Sequence, residues 1–129
     1  SDERNNQSLV LLMQYHNFDM LLTGDVEKEG EKEISEYVDQ NGLSLNCHIL
    51  KVAHHGSSGS GDERFIESVN PQVCLISAGK NNSYGHPHKE TLEVLGKKDS
   101  RIFITSKTGA ITINIRRGKM FVECYLDGK

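Results

Sequence analysis

Cys47-His48-Ile49-Leu50-Lys51-Val52-Ala53 runs directly into His54-His55-Gly56-Ser57. The first seven residues are mostly apolar and carry β-branched side chains, so they read as a buried strand. The next four change character at once: two imidazoles, a glycine that lets the chain turn, and a hydroxyl. On either side the pattern is helical. Upstream, Ile34, Tyr37 and Val38 recur at helical spacing between about residues 30 and 40, and Asn41-Gly42 closes that run. Downstream, Asp62 stands as a cap before Phe65, Ile66 and Val69, and Asn70-Pro71 ends the segment. The chain between, Ser57-Ser58-Gly59-Ser60-Gly61, reads from its composition as a flexible loop.

The alternation continues outward. Leu9 to Tyr15 and Phe18 to Leu22 are two apolar runs joined by His16-Asn17, a hairpin turn. The second run ends in Thr23-Gly24-Asp25. Ser1 to Ser8 is polar and reads as a frayed start. Val73 to Ala78 is a further buried strand. A polar loop from Gly79 follows, then a helix from His88 to Leu95 with Pro87 at its start. Strands close the chain at Arg101 to Thr105, Ala110 to Arg116 and Met120 to Leu126, the last two joined at Arg117-Gly118. The order β-β-α-β-α-β-α-β-β-β is that of an α/β domain, a mixed sheet with flanking helices. Its 129 residues suffice for one domain, residues 1–129.

Composition narrows the function classes. The net charge is −3, from 15 basic and 18 acidic residues, so the chain has no general field for a polyanion. Arg101, Lys107, Arg116, Arg117 and Lys119, late in the chain, read either as a modest basic patch or, as scattered charge usually does, as ordinary solvated surface. Cys47, Cys74 and Cys124 are widely spaced inside apolar runs and read as buried free thiols, and without a Cys-x-x-Cys pair a zinc knuckle is not expected. No apolar stretch is long enough to span a bilayer and no signal peptide is present, so this part of the chain is expected to be soluble.

Chemistry concentrates in three loops beyond strand ends, where ligand sites gather in α/β folds. Asp25 caps a helix or makes a turn, or its two oxygens bridge a pair of divalent ions. His54 and His55 are adjacent, and on a regular strand they would face opposite ways, so one is expected to be a metal ligand and the other to pack behind it. The sequence does not choose between them. Ser57 offers a hydroxyl or backbone N–H to an anion. In the third loop, His86 is a proton donor or a phosphate-binding group. Asn81, Asn82 and Tyr84 line a substrate groove, and His88 binds substrate or caps the helix. Four of the six histidines thus fall in two loops, with a carboxylate in a third. Such N/O donors suit Zn²⁺ or Mn²⁺, ions that lower the pKa of a bound water toward about 7.

Leu-Leu-Thr-Gly-Asp at 21–25, Lys-Val-Ala-His-His-Gly-Ser at 51–57 and Tyr-Gly-His-Pro-His at 84–88, with Asn5-Asn6-Gln7-Ser8-Leu9-Val10 before them, resemble the later part of the metallo-β-lactamase fold. Within it the likeness is to the C-terminal domain of ComEC-type DNA-uptake competence proteins, over about residues 5 to 115. The resemblance implies half of an αββα sandwich with a two-metal site at the shared rim. Asp25 would be the bridging aspartate, one residue of the His54–His55 pair a final ligand, and His86 a substrate-binding or proton-transfer residue. The implied activity is hydrolysis of phosphodiester bonds in DNA, on the outer face of the cytoplasmic membrane, in a domain attached to a membrane channel. The family's upstream His-x-Asp/His-x-Asp-His cluster is absent, so the chain is expected to be a portion of the domain, inactive alone, whose uncovered sheet favours self-association. Two rival readings stand beside it: a metal-free interaction or phosphate-binding module, and a superfamily hydrolase acting on another ester.

Overall fold

The structure is a computed structural model that describes residues 4–126, so residues 1–3 of the expected frayed start lie outside the described residues. Two strands, β1 (Leu11–Tyr15) and β2 (Phe18–Leu22), form an antiparallel hairpin. His16 takes the positive φ that the turn requires. Helix α1 (Lys28–Gln40) leads to β3 (Ile49–Lys51), α2 (Glu63–Val69) to β4 (Val73–Ile76), and α3 (Lys89–Leu95) to β5 (Arg101–Ile104). The one-turn helix α4 (Thr105–Thr108) precedes a second hairpin, β6 (Ile111–Arg116) and β7 (Lys119–Cys124).

The strands pair in the order β1-β2-β3-β4-β5, antiparallel at the first step and parallel thereafter. This is the mixed sheet with flanking helices read from the sequence. Each of β2, β3 and β4 is followed by a helix and then by the next strand in line. Crossovers that advance in one direction with one handedness put their helices on one face. The register bears this out: Leu21 pairs with Leu50 and Leu50 with Cys74, and all join the cluster that includes Phe65, Ile66 and Val69 of α2 and Leu95 of α3. Met20 and Ile49 alternate to the other face, where with Met13, Tyr15 and Phe18 they line a cavity against Ile113 and Ile115 of β6.

Two expectations need correction. The segment read as a frayed start is ordered over its later part: Asn5–Gln7 make a 3-10 turn, and Asn6 Oδ1 accepts from the backbone N–H groups of Glu27 and Gly30. A helix N-terminus carries unsatisfied N–H donors, and Asn6 serves two of them from a distant point in the chain. The Ser57–Gly61 loop, read as flexible, is tied to the elements around it by hydrogen bonds. The Ser60 hydroxyl donates to Val26 O, Gly61 N–H donates to the Glu31 carboxylate, Lys28 N–H donates to Gly59 O, and the Thr91 hydroxyl donates to Ser57 O. Partners from α1 and α3 and the turn before α1 thus hold it in place, with Ser60 buried.

The cysteines are free, with Cys47 and Cys74 buried and Cys124 half-buried. Burial pushes the Cys74 thiol up to about 11, so it is an apolar packing group. Among the described residues no helix is long and apolar enough to cross a membrane.

Candidate functional site

Because β2, β3 and β4 run parallel, the loops that follow them leave the sheet at one rim. The first is Thr23-Gly24-Asp25. Thr23 is fully buried, and its hydroxyl donates to Lys51 O at 2.6 Å. Gly24 turns with φ +56°, and its carbonyl accepts from His54 N–H at 2.9 Å. Two hydrogen bonds therefore fix the Asp25 turn to the end of β3, while Asp25 itself stays exposed. Lys51 lies close enough for its charge to be felt: burial lowers its ammonium from the ordinary value, and the Asp25 carboxylate acts in the opposite sense.

The second loop resolves how neighbouring histidines reach one rim. The strand stops at Lys51, and His54 and His55 both adopt left-handed backbone conformations, φ 53° and 55°. The chain turns between them instead of alternating, so both imidazoles line the same cavity as Asp25, Ser57, Tyr84, His86 and His88, a space of about 500 Å³. A left-handed non-glycine residue costs on the order of 1–3 kcal/mol, and two in succession mark a segment held by its surroundings. His55 Nδ1 lies 2.6 Å from Ser77 O. A carbonyl only accepts, so Nδ1 carries the proton and Nε2 presents a lone pair. That arrangement is the one commonly found behind metal-bound imidazoles. His54 Nδ1 is buried and has no hydrogen-bond partner.

The third loop is held by one side chain. Asn82 donates to Gly79 O and His86 O and accepts from His86 N–H, each at 2.8 Å. This clasp sets His86 at the centre of a ring cluster: 5.8 Å from His54, 6.0 Å from His55, 4.8 Å from His88 and 5.5 Å from Tyr84, between ring centres. Burial, followed by the neighbouring His88, His54 and His55, lowers the His86 pKa from its ordinary value. His88 is committed at both nitrogens. Nδ1 accepts from Ser58 N–H at 2.8 Å, which leaves Nε2 as the donor to Tyr84 O at 2.9 Å. It therefore ties the second loop to the third. Asn81 lies on the far side of His86, where Gly79, Lys80, Asn82, Gly85 and Ser106 line a separate polar recess.

Most of the candidate residues thus share one cavity, Asn81 and Asn82 lying just beyond it. Among the described residues, however, no three His, Cys, Asp or Glu side chains stand together as a metal-holding group. Comparison with known proteins gives the setting. No family model matches the chain. It is 44% identical over 108 residues to ComE operon protein 3 of Bacillus subtilis, covering 84% of this chain and 13% of that protein. The chain is a homologue of competence proteins. It is also 29% identical over 119 residues to Recombination protein 2 of Haemophilus influenzae, 92% of this chain and 14% of that one. Against Competence protein ComA of Neisseria gonorrhoeae the figures are 29% over 114 residues, 88% and 16%. The chain spans about a seventh of the length of these relatives.

Sequence reasoning on this competence homologue missed three residues that build the site without facing its cavity: Thr23, Asn82 as a clasp, and Glu31. Glu31 lies on the buried face of α1, and its two oxygens accept from Gly61 N–H and Asp62 N–H. The available signal was its position, three residues before Ile34 in the apolar stripe of the helix, where a carboxylate must find partners.

Proposed function

We propose that this rim is one side of the active site of a metal-dependent phosphodiesterase acting on DNA, within a larger DNA-uptake protein. The observation that carries the reading is three residues lining one cavity with donor atoms to spare: His55, whose Nε2 keeps a lone pair, His54, whose buried Nδ1 has no partner, and Asp25 with its carboxylate. These donors suit Zn²⁺ or Mn²⁺. Asp25 and His54 or His55 would hold such an ion together with further ligands from outside this chain, and it would supply activated water and charge neutralisation at phosphorus.

The chain's own residues have distinct tasks. The Gly24 turn presents Asp25 to the rim, and Ser77 O holds the His55 ring in one tautomer. His86 faces the same space and gives a proton to the departing oxygen. Burial and the neighbouring imidazoles lower its pKa and so disfavour the protonated form, and the negative charge of a bound phosphodiester acts in the opposite sense. Ser57 and His88 shape the wall.

The experiment is cleavage of labelled DNA by the full-length protein with Mn²⁺ or Zn²⁺, beside Asp25→Ala and this chain alone. Cleavage by the full-length protein, loss in Asp25→Ala and an unchanged melting temperature are expected. The lack of a three-donor cluster among the described residues favours a second reading, a metal-free phosphate-binding module. Failure of the full-length protein to cut any phosphodiester, with retained binding of DNA, moves that reading ahead.

A further inference from the structure

Tyr84 is 75% exposed, yet it is not a loosely placed surface ring. One face lies parallel to His86, 5.5 Å away with 16° between planes. His86 is in turn near-parallel to His55, 6.0 Å away at 17°. The three rings line one cavity and form a near-parallel series from His55 through His86 to Tyr84. The backbone beneath Tyr84 is held from both sides. His88 Nε2–H donates to Tyr84 O, and Gly85 N–H donates to Asn82 O, the residue that clasps His86. A large aromatic surface in water is costly to maintain, and here it is neither covered by a neighbouring element nor free to fold away.

We propose that the outer face of Tyr84 is a stacking platform for one unpaired nucleobase, so that the site takes single-stranded nucleic acid in preference to a duplex. The inference rests on the phosphodiesterase reading above and adds a substrate preference to it. A base stacked on Tyr84 continues the ring series, and its sugar-phosphate lies over the His86 side of the cavity. Beyond His86, Lys80, Asn81 and Ser106 line the polar recess, which accommodates the next phosphate. In a duplex the bases are stacked on each other and present no face to Tyr84. Stacking needs only a π-face, so the platform discriminates strandedness and not sequence.

The test reads binding without cleavage. A short strand whose only base is one 2-aminopurine, every other position being abasic, is titrated with the protein in EDTA, and fluorescence quenching reports stacking. Tyr84→Ala, at an exposed position, should weaken binding about tenfold, while Tyr84→Phe retains it. An otherwise identical strand with an abasic site in place of the aminopurine should bind wild type and Tyr84→Ala alike. If Tyr84→Ala and wild type bind the base-bearing strand equally, or if Tyr84→Ala weakens the abasic strand by the same factor, the platform is overturned. The two readings separate cleanly. Quenching lost in Tyr84→Ala without metal-dependent cleavage by the full-length protein supports the platform and sinks the phosphodiesterase. Cleavage that Asp25→Ala abolishes and Tyr84→Ala leaves unchanged on single strands and duplexes does the reverse.

Discussion

A Cβ placed on Gly56 would lie 2.6 Å from the Cβ of Pro87. The loop after β3 and the loop after β4 therefore touch at a point where only a hydrogen fits. Pro87 cannot rotate away, because its ring is closed on its own backbone. Gly56 also has φ +79°, and its carbonyl accepts from His88 N–H. Gly56→Ala should then cost about 1–3 kcal/mol in stability and displace His86, the residue next to Pro87. Urea denaturation checks the first effect and the His86 ring resonances check the second. A variant with wild-type stability and unmoved His86 signals would show that the two loops are not locked to one another.

The histidine tautomers follow from the partners. His55 should be the Nδ1–H form, because it faces Ser77 O, and His88 the Nε2–H form, because Ser58 N–H occupies its Nδ1. Long-range proton–nitrogen correlation spectra above pH 8 distinguish the two directly. Finding His55 as the Nε2–H form would remove the lone pair from the rim and with it the case for His55 as a metal ligand.

How much of this could be read from the sequence depended on whether the signal was local. Arg117 and Gly118 both take positive φ, as a two-residue hairpin requires, and the dipeptide announced it. Asp62 accepts from Phe65 N–H as a helix cap does. The Ser57–Gly61 loop was misread because its small polar residues signal freedom only when nothing meets them. Here Val26, Glu31 and Thr91 do, from distant positions that no local pattern links. The His54–His55 pair posed the same difficulty. Alternation along a strand forbids both from sharing a face, and only the early end of β3 at Lys51, with two left-handed residues after it, allows it.

Glu31 should leave a signature in pH dependence. Burial raises its pKa from 4.5 to about 7, with the backbone N–H groups of Asp62 and Gly61 acting in the opposite sense. The folded state then holds this proton more tightly than the unfolded chain. Its contribution is largest below pH 4.5, falls as pH rises, and is lost above about 7. The change is about 3 kcal/mol across that interval. His86 titrates in the opposite sense, since its folded pKa is lowered. Denaturation profiles of wild type and Glu31→Gln, subtracted, isolate the carboxylate: the difference should vary between pH 4.5 and 7 and be flat above. A difference that is flat throughout would mean the N–H donors cancel the effect of desolvation.

Asn6 should behave as the cap of a helix to which it does not belong. Removing its side chain in Asn6→Ala withdraws the acceptor from Glu27 N–H and Gly30 N–H, at a cost of about 1–2 kcal/mol. Gly30→Ala attacks the same contact from the other side, since its Cβ would fall 2.8 Å from Asn6 Oδ1 and 2.4 Å from Val26 Cγ2. If both act on one contact, the double variant should lose less than the two single losses combined. Full additivity in thermal denaturation would place the Gly30 effect on Val26 alone.

The outer edge of the sheet makes the last prediction. Every residue of β1 is exposed, Leu11, Leu12, Met13 and Tyr15 each by half or more, and among the described residues β1 pairs with β2 alone. Natural edge strands are guarded by lysine, proline or a bulge, and the five-residue sequence of β1 has none of the first two. An unpaired row of backbone groups beside apolar side chains favours association through a second copy or another chain. The sedimentation coefficient of this chain should rise with concentration, and Leu12→Lys should suppress the rise with little change in melting temperature, because about half of the side chain it replaces is already in water. A concentration-independent monomer at high loading would show that the edge is protected after all.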